Sequence, residues 1–63
     1  DVQQFLKGFG VFIYTGNRIA DLELMEMETR EIYKSQLMDP KDYQMAILLL
    51  RHEIQTLKDK EKK

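Results

Sequence analysis

Apolar residues recur along this chain at helical spacing in three separate stretches. From Val2, the positions Phe5, Leu6 and Phe9 follow at intervals of three and four, predicting a first helix from residue 2 to residue 8 or 9. Asp1 can cap it. Gly8 and Gly10 are poor interior helix residues, and Gly10 can take the left-handed conformation that closes a helix. Between residues 18 and 37, Leu22, Met25, Thr29, Ile32, Tyr33 and Gln36 fall in one stripe at about 100° per residue, predicting a second helix with this stripe inward. Asp21, Glu23 and Glu26 lie toward its N-terminal end and Lys34 toward its C-terminal end, an arrangement that suits the helix dipole.

The third helix starts at Pro40. Asp39 caps it, proline fits the first helical position without losing a needed donor, and Asp42 adds negative charge to the first turn. Its main stripe is Tyr43, Ala46, Ile47, Leu50, Ile54 and Leu57. Apolar residues then disappear, so residues 58–63 read as a charged tail that frays or is disordered, outside a single domain spanning residues 1–57.

Val11, Phe12, Ile13 and Tyr14 form a β-branched and aromatic run, but a lone strand would leave half its backbone groups unpaired, so the run reads as an extended connector. Thr15, Gly16 and Asn17 are turn formers, and Asn17 can cap the second helix. The expected fold is all-α: a small three-helix bundle with an extended connector between helices 1 and 2.

A chain of 63 residues buries only about 60% of the surface its unfolded form exposes, so the core must be thin. At roughly 0.05–0.15 kcal/mol per residue its stability is small enough for partner helices to add a meaningful share. A hydrophobic share of 43% beside a charged share of 33% fits a folded helical protein rather than a disordered one. Cysteine is absent, which removes disulfides and thiolate metal sites and leaves a cytoplasmic location as the expectation. The longest apolar runs, Val11 to Tyr14 and Met45 to Leu50, are far short of the roughly 20 residues that span a bilayer, so no membrane role is expected. A formal net charge of −1 gives no global attraction for nucleic acid, so any such binding needs a local basic patch.

Catalytic chemistry finds little here. Ser35 is the only serine and has no identifiable base, so it reads as a polar residue on an exposed helix. His52 and Glu53 are adjacent in a helix and diverge by about 100°, which keeps them from sharing a metal ion. Glu23, Glu26, Glu28 and Glu31 spread around their helix as a solvated face. No catalytic, metal or cofactor site is therefore assigned.

Three features remain. The turn Thr15-Gly16-Asn17 before a helix, with Arg18 beside it, could present backbone N–H groups to a phosphate, although an ordinary turn with an N-cap is the favoured reading because a full phosphate-loop pattern is missing. In the connector, Phe12 and Tyr14 alternate with Val11 and Ile13, so one pair can be exposed near Lys7 and Arg18 where aromatic faces and cations hold single-stranded nucleic acid. The favoured alternative is that these aromatics plug the end of the core. On the third helix Met45, Leu48 and Leu49, with His52 beside them, project opposite the core stripe, and Leu24 and Met27 lie off the main face of the second helix. Three helices cannot easily cover every side of one of them, so these residues predict a second contact surface and a possible oligomer.

Taken together, Asp1-Val2-Gln3-Gln4, Ile13-Tyr14-Thr15-Gly16, Asp21-Leu22-Glu23-Leu24-Met25-Glu26, Tyr33 and Gln44-Met45-Ala46 resemble the YqgQ-like family of short cytosolic proteins from Bacillus-type bacteria. The resemblance covers all but the lysine-rich tail and implies a three-helix fold, an association with single-stranded nucleic-acid binding, and a family N-terminus a few residues upstream of Asp1. It carries over no catalytic motif. The first functional expectation is then an adaptor for single-stranded DNA or RNA, with Lys7, Tyr14, Arg18, Arg30, Lys34 and Arg51 supplying charge and stacking. The second is a protein-interaction module that uses Met45, Leu48, Leu49 and His52 for self-association or for docking a partner helix. An enzyme ranks last, since so short a chain rarely builds a pocket with convergent catalytic groups.

Overall fold

A computed structural model describes residues 2–61. Among them are three helices and no strand: α1 (Val2–Lys7), α2 (Arg18–Lys34) and α3 (Pro40–Glu61). The expected Asp1 cap, together with Lys62 and Lys63 of the tail, lies outside the described residues. α2 and α3 pack along each other, and the short α1 touches both. The result is the expected all-α three-helix arrangement, drawn out to 40 × 22 × 18 Å by the length of α3.

The core follows the predicted stripes. Leu6 of α1, Leu22 and Met25 of α2 and Leu50 of α3 form one buried cluster, with Ala46, Ile47 and Thr29 buried beside it. Val2, Val11, Ile13, Ile32, Tyr33, Tyr43, Ile54 and Leu57 close around this cluster as a partly buried ring. Tyr33 and Tyr43 stack with centroids 4.2 Å apart and planes 6° from parallel, joining the end of α2 to the start of α3. Thr29 is fully buried without cost because its Oγ1 donates to the Met25 carbonyl at 2.6 Å. Met38, in the α2–α3 turn, belongs to the same core cluster. It was not expected there, since a single residue between helices carries no periodicity.

Both early helix ends are closed by the same backbone device. After α1, the Gly10 N–H donates to the Lys7 carbonyl at 3.0 Å and the Val11 N–H to the Leu6 carbonyl at 3.1 Å, with Gly10 at φ +84°. After α2, the Gln36 N–H donates to Tyr33 at 2.9 Å and the Leu37 N–H to Ile32 at 3.3 Å, with Gln36 at φ 62°. These are paired Schellman-type closures, in which the left-handed residue frees the last carbonyls to be capped. The predicted extent of α2 to residue 37 is corrected to Lys34, and Gln36 leaves the core stripe because it turns the chain instead. α1 likewise ends at Lys7, before the predicted 8 or 9.

α3 departs from expectation in the other direction. Its start at Pro40 is as predicted, with Asp39 Oδ1 accepting from the Lys41 N–H at 2.9 Å. The helix then continues through Lys58, Asp59 and Lys60 to Glu61, so the described part of the tail is helical rather than frayed. Lysine and glutamate are good helix formers, and Lys58 and Lys60 sit where the dipole favours cations. Gln55 also reaches forward to Asp59 at 2.9 Å.

Glutamine in the left-handed region carries strain that glycine does not. Gln36→Gly is expected to raise the unfolding free energy by about 0.5–1 kcal/mol, and Gln36→Val to lower it, in urea denaturation followed by circular dichroism.

Candidate interaction surfaces

The turn before α2 is organised by a residue that the sequence had suggested only as a helix-dipole partner. Asp21 is 4% exposed, and its Oδ1 accepts from both the Thr15 N–H at 2.7 Å and the Thr15 Oγ1 at 2.6 Å. Asn17 caps the helix as expected, its Oδ1 accepting from the Ala20 N–H at 3.0 Å. The Asn17 N–H in turn faces Thr15 Oγ1 at 3.3 Å, and Gly16 supplies the turn with φ +90°. The donors considered for a phosphate at Thr15, Gly16 and Asn17 are therefore turned largely to the chain's own groups, and the anion seated in this turn is the Asp21 carboxylate. A signal was present in the sequence: a carboxylate placed one turn into a helix, beneath a Thr-Gly-Asn turn.

By fastening Thr15 to α2, this contact sets the orientation of the connector. Val11 and Ile13 pack on the core, while Phe12 and Tyr14 stand outward at 73% and 88% exposure. The alternation was anticipated, but its favoured sense is corrected. The aromatics do not plug the core, because the smaller branched side chains of Val11 and Ile13 are the ones packed against the buried cluster.

The cations proposed for nucleic acid are dispersed and mostly paired. Arg18 meets Glu53 of α3 at 2.7 Å, bridging the start of α2 to the second half of α3. Arg30 meets Glu26 at 2.5 Å, and Arg51 approaches the other oxygen of the same carboxylate at 3.6 Å. Lys34 lies 3.6 Å from Glu31. Lys7, exposed at the end of α1, makes no ion pair among the described residues. Arg18 and Lys34 stand at opposite ends of a 17-residue helix, roughly 24 Å apart along its axis. The fold brings Arg30 and Arg51 together, but around a shared glutamate.

The apolar residues assigned to a second surface are exposed as a group. Met45, Leu48 and Leu49 lie on the side of α3 turned away from the core, with Leu48 66% exposed, and His52 is exposed one turn further along. α1 adds to this side. Val2 and Phe5 join Asp42, Met45, Ala46 and Leu49 in lining an open groove of about 220 Å³. Phe5, not among the residues picked from the sequence for this surface, is held by an edge-on contact with Phe9 at 5.3 Å. A second open patch, of about 290 Å³, combines Phe12 with Leu24 beside Glu28. Among the described residues no three histidine, cysteine, aspartate or glutamate side chains gather to hold a metal, and no helix is long and apolar enough to cross a membrane. Ser35 is exposed, its Oγ donating to the Glu31 carbonyl at 3.1 Å.

The family model for YqgQ-like proteins matches residues 1–56 of this chain. The chain is also 36% identical over 59 residues to the Bacillus subtilis (strain 168) protein named "Uncharacterized protein YqgQ", a match covering 94% of this chain and 83% of that relative.

Removing a buried acceptor that receives two hydrogen bonds costs about 1.5–3 kcal/mol. Asp21→Ala is expected to lower stability by about that amount, whereas Tyr14→Ala on the exposed side of the same connector changes it by less than about 0.5 kcal/mol. Parallel urea titrations of the two variants check both values.

Proposed function

This chain belongs to the YqgQ-like family, and for it we propose the role of a non-enzymatic cytosolic protein-interaction module that docks an amphipathic helix on the outward face of α3. The observation that carries this reading is the exposed apolar surface of Met45, Leu48 and Leu49, widened by Phe5 of α1. Exposed apolar patches of this kind mark contact sites rather than fold requirements. Helix-in-groove recognition uses anchors at spacings of three and four, and methionine adapts such a surface to its partner. The groove holds no convergent set of titratable groups, which argues for binding rather than catalysis. The lack of cysteine fits a reducing cytosol.

A second reading rests on a different observation: Phe12 and Tyr14 project from the same side of the connector into solvent, spaced as an extended chain spaces alternate residues. Two such rings suit the stacking of adjacent bases of single-stranded DNA or RNA. It ranks below the first because Arg18, Arg30, Lys34 and Arg51 already face carboxylates, and the net charge is −1.

If the α3 face serves contact and not folding, placing charge there leaves the isolated fold intact. Leu48→Glu/Leu49→Glu is expected to unfold within about 0.5 kcal/mol of the wild type, whereas Leu50→Ala, in the buried stripe beside it, loses about 2–5 kcal/mol. Denaturation at micromolar protein decides this, and a double-variant loss as large as that of Leu50→Ala rejects the reading. For the second reading, anisotropy of a labelled single-stranded oligonucleotide at two salt concentrations should show salt-sensitive binding, weakened about 5- to 100-fold by Tyr14→Ala. Unchanged affinity in that variant rejects it.

A further inference from the structure

The first helix and its connector are knit together by contacts of their own. α1 has six residues, about half the length at which an isolated helix becomes even marginally stable in water, so it persists through what it is docked on. Its closing hydrogen bonds stay inside the segment: the Gly10 N–H donates to the Lys7 carbonyl and the Val11 N–H to the Leu6 carbonyl, while Phe9 packs edge-on against Phe5. Leu6 therefore cannot leave the core while Val11 stays unless that closure breaks. The apolar hold on the rest of the molecule is the packing of Val2, Leu6, Val11 and Ile13 at the core cluster. At the root of the connector the hold is polar, from Thr15 to Asp21.

α2 and α3 are joined along their length by contacts in which this segment takes no part. Arg18 meets Glu53 at one end, Arg51 approaches Glu26 further along, and Tyr33 stacks on Tyr43 at the other end. Leu22, Met25 and Leu50 also belong to these two helices. The hairpin of α2 and α3 thus keeps its own stitching when the first segment departs.

We propose that residues 2–14 form a strap that opens from the α2–α3 hairpin as one unit, with the Thr15–Asp21 contact as its latch and Gly16 as its hinge. Both hydrogen bonds of the latch end on the same Asp21 Oδ1 and start from the same residue, so they are lost together. Gly16, between the latch and the Asn17 cap, sits at φ +90° with open space around it, and glycine changes backbone conformation at little steric cost. Opening withdraws Leu6 from the cluster it shares with Leu22, Met25 and Leu50, and takes Val2 and Phe5 away from Ala46. The molecule then has an apolar surface that the closed state hides, and one threonine on one carboxylate oxygen governs access to it. This device does not depend on what binds the outward face of α3.

Native-state hydrogen exchange on the full chain, at urea concentrations below the unfolding transition, tests the proposal. In the wild type the Gly10, Val11 and Thr15 amides are expected to exchange through one shared opening, faster and with a smaller urea dependence than the amides at the centres of α2 and α3, because the strap exposes less surface than global unfolding does. Thr15→Ala should speed exchange of Gly10 and Val11 by roughly 10- to 100-fold, the effect of losing one hydrogen bond to a charged group. Thr15→Ser, which keeps the hydroxyl, should exchange close to the wild-type rate. Leu57→Ala, at the far end of α3 beside Arg18 and Ile19, should speed the central α2 and α3 amides and leave those of the strap unchanged. Strap amides that exchange only with global unfolding, that each open with a different urea dependence as a fraying end does, that ignore Thr15→Ala, or that follow Leu57→Ala each overturn the proposal.

Discussion

A six-residue helix and a seventeen-residue helix cannot wrap a twenty-two-residue helix that carries apolar side chains on two sides, and the rest of this structure follows from that shortage. α2 takes the principal stripe of α3 and buries Leu22 and Met25 against Leu50. α1 contributes Leu6 to the same cluster but is too short to do more than edge the opposite side with Val2 and Phe5. Met45, Leu48 and Leu49 are left 62%, 66% and 51% exposed, with apolar area still open to water.

Within that limit, small polar contacts decide what the connections present. The two hydrogen bonds from Thr15 to the buried Asp21 fasten the connector onto α2. They also place the chain's own carboxylate among the turn's donors. The surface cations are absorbed in the same way: Glu53 holds Arg18, and Glu26 stands between Arg30 and Arg51. Exposed pairs of this sort add little stability. Their larger consequence is that Arg18, Arg30, Lys34 and Arg51 each face a carboxylate of the chain itself.

The sequence by itself determined the element order, the inward stripes and the start of α3, because helical periodicity and the Asp39-Pro40 cap are local signals that packing here reinforces. The exposed row on α3 was legible for the same reason: residues opposite a core stripe are known once the stripe is known. The family membership was legible in several short segments that agree in order and spacing.

Only the tertiary structure decided matters that depend on which surfaces meet. Alternation in the connector required two opposite sides but could not say that Phe12 and Tyr14 face water, because that choice rests on which pair packs against the buried cluster. The burial of Asp21, the partners of Arg18 and Arg51, and the entry of Met38 into the core each join residues from different elements or a turn without periodicity. The ends of α2 and α3 were misjudged because helix termini answer to capping geometry more than to pattern. Gln36 adopts a left-handed turn that its residue type disfavours, and the lysine-rich end of α3 stays helical without an apolar face to hold it.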